Sequence, residues 1–201
     1  MRKTTRKLTR DDWARAALAA LARGGLEAVA VEPIASRLGT TKGSFYWHFK
    51  NRDALVEAAL ALWEHDRTDA VIDFLQREPD PARRLRILIE GAYEHGPSDR
   101  VELALMSNPG SRVAVRTLKR VVERRVGYVA DQLEALGWEP TEARDRAMLI
   151  AHIYVGRIQM AHIAPRLTDA DAAWQSELVF ASFVEGGVMP PMPGNHREVD
   201  A

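Results

Sequence analysis

The chain has no cysteine among its 201 residues, which excludes disulfides, a thiolate nucleophile and any cysteine-ligated metal. It has no run of about eighteen apolar residues, so no segment reads as a membrane span. The basic start MRKTTRKLTRDD has no apolar stretch behind it that would make a signal peptide. By elimination the expected location is cytoplasmic. No stretch sustains the apolar-polar alternation of half-buried strands. There is no glycine-rich phosphate loop, no nucleophile elbow and no Glu-x-x-His pair, so nothing points to an enzyme. His152 and His162 are ten apart, outside the i, i+3 or i+4 spacing that lets two imidazoles share a metal on one helix, and neither metal nor cofactor is expected. Net charge is missing too, with 28 Lys and Arg against 28 Asp and Glu.

The distribution of charge reverses that last impression. Residues 1–50 carry ten Lys or Arg against four Asp or Glu, a balance of +6, and residues 51–201 carry eighteen against twenty-four, a balance of −6. A molecule polarised in this way offers one end to phosphate and keeps the other away from it. Within the basic end, VEPIASRLGTTKGSFYWHFKNRDAL reads as two short helices joined by a tight turn. Ile34, Ala35 and Leu38 make one apolar face, Gly39 can take the positive φ that stops the first helix, and Thr41 can cap the second. Phe45 and Phe49, four apart, can bury together and turn Lys42, Ser44, Tyr46, Trp47 and His48 outward or onto the flanks.

At LGTTKGSFYWHFKNRDAL the chain resembles the TetR (tetracycline repressor) family of bacterial transcriptional regulators. The close resemblance runs from about Thr9 to Leu62, and the rest is similar in length and helical pattern. The chain departs from the family at Ala30, where Thr or Ser is usual, at Phe45, where Leu is usual, and at Arg52, where Lys is usual. The resemblance implies an all-α protein of about nine helices. Its parts would be a three-helix helix-turn-helix DNA-binding domain over residues 1–52, with the helix-turn-helix at about 30–49, and a carboxy-terminal bundle for ligand binding and dimerisation over 53–186. Residues 187–201, with three prolines, read as a flexible tail. The implied function is a dimeric repressor released from double-stranded operator DNA by a small-molecule effector. The alternatives are an activator on the same fold, or a helical-bundle interaction protein or enzyme with no DNA role.

The helical period places the elements. Thr9 with Asp12 is a capping-box start for a helix whose stripe is Trp13, Ala17, Ala20 and Leu21, ending at Gly24-Gly25. After the helix pair, Asn51 or Asp53 opens a longer helix carrying Leu55, Ala58, Ala59, Leu62 and Phe74, stopped near Glu78-Pro79. Further helices are expected at about 81–95, 98–107, 110–136, 141–164 and 169–186. The third of these elements, 110–136, repeats Leu118, Val122, Val126, Val129, Leu133 and Leu136 as an inward stripe.

Candidate DNA contacts divide by chemistry. Tyr46 and His48 offer donors to phosphate oxygens, and Lys50 and Arg52 add charge at a helix start. Thr40, Thr41, Lys42, Ser44 and Trp47 face base edges or the adjoining phosphates, and Gly43 allows close backbone approach. The competing reading of each is structural: Tyr46 or Trp47 packs on the first helix, His48 caps, Arg52 pairs with a carboxylate. Arg2, Lys3, Arg6, Lys7 and Arg10 make either a basic arm reaching the duplex or an unbound tail. The helices at 141–164 and 169–186 are apolar over more than one stripe, which predicts a two-fold partner and a homodimer. A ligand cavity follows from the resemblance, with Trp63, Phe74, Tyr93, His95, Met106, Tyr128, His152, Tyr154 and Met160 as its expected lining. No membrane partner is expected.

Overall fold

The computed structural model describes residues 8–93, 97–164 and 172–187, which are helical with no strand among them. The all-α expectation is met. In chain order the elements are α1 (Arg10–Gly24), a 3-10 turn (Leu26–Ala28), α2 (Val31–Arg37), α3 (Lys42–Phe45), α4 (Arg52–Glu64), a π turn (His65–Asp69), α5 (Ala70–Leu75), α6 (Pro81–Ala92), α7 (Pro97–Met106), α8 (Arg112–Ala135), α9 (Pro140–Ile163) and α10 (Ala172–Phe183). The contacts group residues 1–73 with 96–124 as one unit, and 74–95 with 125–201 as a second. The division at residue 52 drawn from the sequence is one of function.

In the first unit the element boundaries follow from local chemistry. The Thr9 hydroxyl accepts from Asp12 N, and Asp12 Oδ2 accepts from Thr9 N at 2.8 Å, a closed capping box at the start of α1. Gly25, at φ +69°, ends that helix with its N–H on Leu21 O. Gly39, at φ +66°, does the same for the second helix, a backbone region that costs a Cβ-bearing residue dearly. Asn51 caps α4, its Oδ1 accepting from Ala54 N at 2.9 Å.

One stripe from each helix meets in the middle of this unit. Trp13, Ala17, Leu21, Ile34, Phe45, Phe49, Leu55, Ala59, Leu60 and Trp63 are all buried in a single cluster, joined by Val101, Leu105, Ala114 and Val121. Burial of each large side chain contributes about 1.5–3 kcal/mol. Along its outer side α8 sets Arg116, Arg120 and Arg124, one helical turn apart, against Glu57, Glu64 and Asp69. Arg120 is bidentate on Glu64, at 3.0 and 2.6 Å.

The second unit is built from α6, the later part of α8, α9 and α10. Asp80 caps α6 through Ala82 N at 3.0 Å, with Pro81 in the first turn where its missing N–H is harmless. Arg86 of α6 pairs with Glu177 and lies 3.9 Å from the Phe180 ring. Arg146 lies 3.5 Å over Trp138 and donates to the carbonyls of Ser182 and Phe183 at the end of α10.

Two expectations shift in phase. Val121, not Val122, is the fully buried valine of α8, and Leu136 lies past the helix end with 37% exposure. The inward face of α8 includes Thr117, Tyr128 and Gln132 as well as apolar groups, so an all-apolar count misplaces its centre. Phe74, expected on the buried face of the long helix, is exposed. The π turn at His65–Asp69 inserts extra rotation before α5, and the periodicity read from Leu55 no longer applies beyond it. Residues 188–201, expected as the tail, and 165–171 lie outside the described residues.

Candidate nucleic-acid interface

The stretch from Gly39 to Arg52 carries ten expected contact residues on a short scaffold. Thr41 caps α3, its Oγ1 accepting from Ser44 N at 3.4 Å. The α-helical part stops at Phe45, sooner than expected. After it Trp47 N and His48 N turn back to Ser44 O and Phe45 O, the tighter i to i−3 pattern, and Phe49 N returns to Phe45 O. The tight turn leaves Phe45 and Phe49 stacked at 5.7 Å, with the Trp13 ring edge-on to Phe45 at 5.5 Å.

What this seat turns outward is unusual for a protein surface. Trp47 is 89% exposed and Tyr46 59% exposed, although an indole and a phenol lose free energy in water when nothing covers them. Lys42, Gly43 and Lys50 are exposed beside them, Ser44, Thr40 and His48 are half-buried, and Thr41 is exposed at the cap. At Gly43 an added Cβ would meet only Thr41 Oγ1 at 3.6 Å, ordinary contact. Nothing within the protein therefore requires glycine there. A cleft of about 370 Å³ opens beside this surface, with Glu32, Lys42, Tyr46, Lys50, Asn51 and Arg52 in its wall.

Two of the expected phosphate-facing cations are engaged internally. Arg52 donates from Nε to Val29 O at 2.7 Å and from Nη2 to Leu26 O at 2.5 Å, tying the turn before α2 to the start of α4. Arg10 donates to His48 O at 2.9 Å and lies 4.4 Å over the Phe49 ring, so it buttresses the turn from behind. Arg2, Lys3, Arg6 and Lys7 lie outside the described residues. Replacing Arg52 with alanine is expected to destabilise the protein by about 1–2 kcal/mol, because two carbonyls lose a charged donor. Arg52→Lys should recover less than half of that, since an ammonium does not present the planar fork. Urea unfolding of the three proteins checks it.

Lys42 is paired as well. Its Nζ sits 2.8 Å from Glu32 Oε1 on the surface. That hydrogen bond and charge raise the Lys42 pKa above the usual lysine value and lower that of Glu32 below the usual carboxylate value. Sequence reasoning singled out Lys42 and missed Glu32. The partner lies ten residues back on another helix, and no local pattern marks it.

The residues expected around a ligand are placed in both units. Trp63 belongs to the core of the first, and Met106 is half-buried there. In the second, Tyr128 is buried with its hydroxyl lacking a hydrogen-bond partner, while Tyr93 and Tyr154 are half-buried. His152, Met160 and Phe74 are exposed, and His95 lies outside the described residues. The structure brings two of these together through a residue not anticipated: the Arg157 guanidinium is 5.5 Å from the Tyr93 ring and 5.8 Å from the Tyr154 ring, and Arg125 is 5.5 Å from the latter. Arg157 is itself buried. Burial raises the Tyr93 pKa, with Arg157 acting in the opposite sense. The signal was an arginine within the otherwise uncharged run IYVGRIQMAHI.

The elements from α1 to α4 thus form a helix-turn-helix head with a polar, aromatic and cationic outer surface. Residues 14–59 match the sequence profile of the family described as bacterial regulatory proteins, tetR family. The tetracycline repressor protein class C of Escherichia coli is 42% identical over 52 residues, 26% of this chain and 24% of that protein, so the match spans about a quarter of the curated relative. Over the whole chain the fold is that of a transcriptional regulator from Rhodococcus sp. Rha1, at TM-score 0.75 and 21% identity, covering 92% of this chain and 100% of the other. A regulator from Saccharomonospora viridis, solved in complex with choline, superposes at TM-score 0.74 and 18% identity over 90% and 98% of the two chains.

Proposed function

We propose that the protein is a cytoplasmic, non-enzymatic transcriptional repressor that binds double-stranded operator DNA as a homodimer and is released by a small-molecule effector. The observation that carries the DNA reading is the pair of bare aromatic side chains, Trp47 and Tyr46, held out over a sealed Trp13-Phe45-Phe49 seat. A surface of this kind beside Lys42 and Lys50 suits the wall of a major groove, where phosphates take charge and hydroxyl contacts and base edges take the rest. In this reading Thr40, Thr41, Lys42, Ser44 and Trp47 meet base edges or the adjoining phosphates, Gly43 lets the backbone approach, and Tyr46, His48 and Lys50 hold the phosphates. Arg52 acts behind them. Residues 1–52 serve as the reader, 53–186 as the effector and dimer body, and 187–201 as the tail.

The dimer reading is supported by α9. Leu149, Met160 and Ile163 are 48, 44 and 71% exposed, at spacings that keep them on one side of the helix with Gly156. Two heads must then fit grooves about 34–36 Å apart or a multiple of that repeat, so a change of a few ångströms in the body releases one of them. The effector reading rests on the polar groups inside the second unit, Arg157, Gln132 and the unpartnered Tyr128 hydroxyl, which give an apolar small molecule somewhere to anchor. The Saccharomonospora viridis regulator was solved with a small molecule, choline.

A mobility-shift titration tests the DNA reading. Tyr46→Phe and His48→Ala are each expected to weaken binding by about 1 kcal/mol, roughly fivefold in Kd, and by the same factor on every sequence, as contacts to phosphate require. Titration curves that superpose on those of the parent would count against it.

A further inference from the structure

The Glu32-Lys42 pair places a carboxylate at the centre of a surface that otherwise suits an anion. Glu32 stands in the first turn of α2 and Lys42 begins α3, so the hydrogen bond between them spans the two helices of the head. Both side chains remain well exposed, Lys42 at 54% and Glu32 at 71%. They form part of the wall of the same cleft as Tyr46 and Lys50. A pair so open to water adds little to the stability of the fold. Its effect lies in what Lys42 can touch.

We infer that Glu32 is a positioning residue for Lys42 and determines specificity, converting that lysine from an indiscriminate phosphate contact into a reader of guanine. The inference rests on the DNA-binding reading above. A lysine ammonium has three N–H donors, and one stays on Glu32. A phosphate that approached the other two would bring a full negative charge beside the carboxylate and be repelled. The O6 and N7 acceptors of guanine are neutral, suffer no such repulsion, and accept the two remaining donors in the major groove. The pair is also nearly neutral as a unit, so Lys42 gives little to the salt-dependent attraction that every duplex shares. Binding to DNA of the wrong sequence is thereby weakened more than binding to the right one.

The test compares the parent, E32Q, K42A and the double variant on two duplexes, one selected from a random pool by the parent protein and one of the same composition with its order shuffled. On the shuffled duplex E32Q is expected to bind about three- to tenfold tighter than the parent, and its plot of log affinity against log salt should steepen by about one unit, the signature of one more cation facing phosphate. The ratio of selected to shuffled affinity should fall by the same factor, and in the K42A background the effect of E32Q on affinity and slope should vanish. Glu32 is exposed, so E32Q is expected to melt with the parent. An E32Q slope and affinity ratio equal to the parent's would overturn the proposal, as would an E32Q effect that persists without Lys42, since the carboxylate would then act as bulk charge. A parent that selects no duplex at any salt overturns the DNA-binding reading itself, and this proposal with it.

Discussion

Phe45→Ala is expected to lower the unfolding free energy by about 3–5 kcal/mol, a large part of what a domain of this size possesses. The ring is wholly excluded from solvent and touches Trp13 edge-on at 5.5 Å, Phe49 face-to-face at 5.7 Å and Tyr46 at 5.2 Å. Truncation removes the transfer free energy of the ring and leaves a hole that three other rings line and that backbone already bonded at 46–49 is poorly able to close. At about 2–4 °C per kcal/mol for a chain of this length, the melting midpoint should drop by about 10 °C. Phe45→Leu keeps most of the volume and should cost about 1–1.5 kcal/mol. The affinity for DNA is expected to fall with stability in the first variant and scarcely at all in the second, because Tyr46 and Trp47 leave the same turn. Urea unfolding followed by far-UV circular dichroism measures it; a loss under about 1 kcal/mol for alanine would mean that the aromatic seat closes up freely.

The second large effect concerns α9. Met160→Asp together with Ile163→Asp is expected to turn the particle from twice the chain mass of 22.5 kDa into one of 22.5 kDa by sedimentation at micromolar concentration. Across a two-fold interface each substitution occurs twice, so four carboxylates are taken out of water, and each buried charge costs several kcal/mol. In a monomer the same changes are nearly free, since both side chains are exposed. Loss of the dimer should weaken binding to a two-half-site operator by about a hundredfold, while a single half-site is bound as before. Gly156 offers an independent check. An added Cβ there meets nothing within 4 Å, and glycine inside a helix costs about 1 kcal/mol relative to alanine. Gly156→Leu should therefore fold well and yet dissociate the dimer, if a second copy approaches at that point. A parent protein that sediments as a monomer would refute the dimer reading outright.

Much of the head was legible from neighbours in the chain. Thr9 with Asp12, Thr41, Asn51 and Gly39 mark boundaries because a cap or a positive φ concerns residues no more than a turn away. Phe45 and Phe49 were legible for the same reason, since four residues on a helix bring two rings to one side. The site was legible as a set of outward groups, though not as a set of partners. Arg52 stood in the sequence as a phosphate contact at a helix start, yet its guanidinium serves carbonyls more than twenty residues upstream. Arg10 read as part of an arm, yet it props the recognition turn. In the body, the π turn at His65–Asp69 shifted the phase of everything after it, which left Phe74 outside.

The amino-acid order by itself determined an all-helical chain, the ends of its first helices, a cationic amino-terminal quarter and the aromatic and polar groups it displays, because each of these depends on short-range geometry or on composition. The tertiary structure alone decided which charges are spent inside the protein, which lysine is held by a carboxylate, and that Arg157 is buried among tyrosines. Such partners meet across many residues of chain, and a long side chain of given charge can serve either a phosphate outside or a carbonyl within until the fold brings one of them into reach.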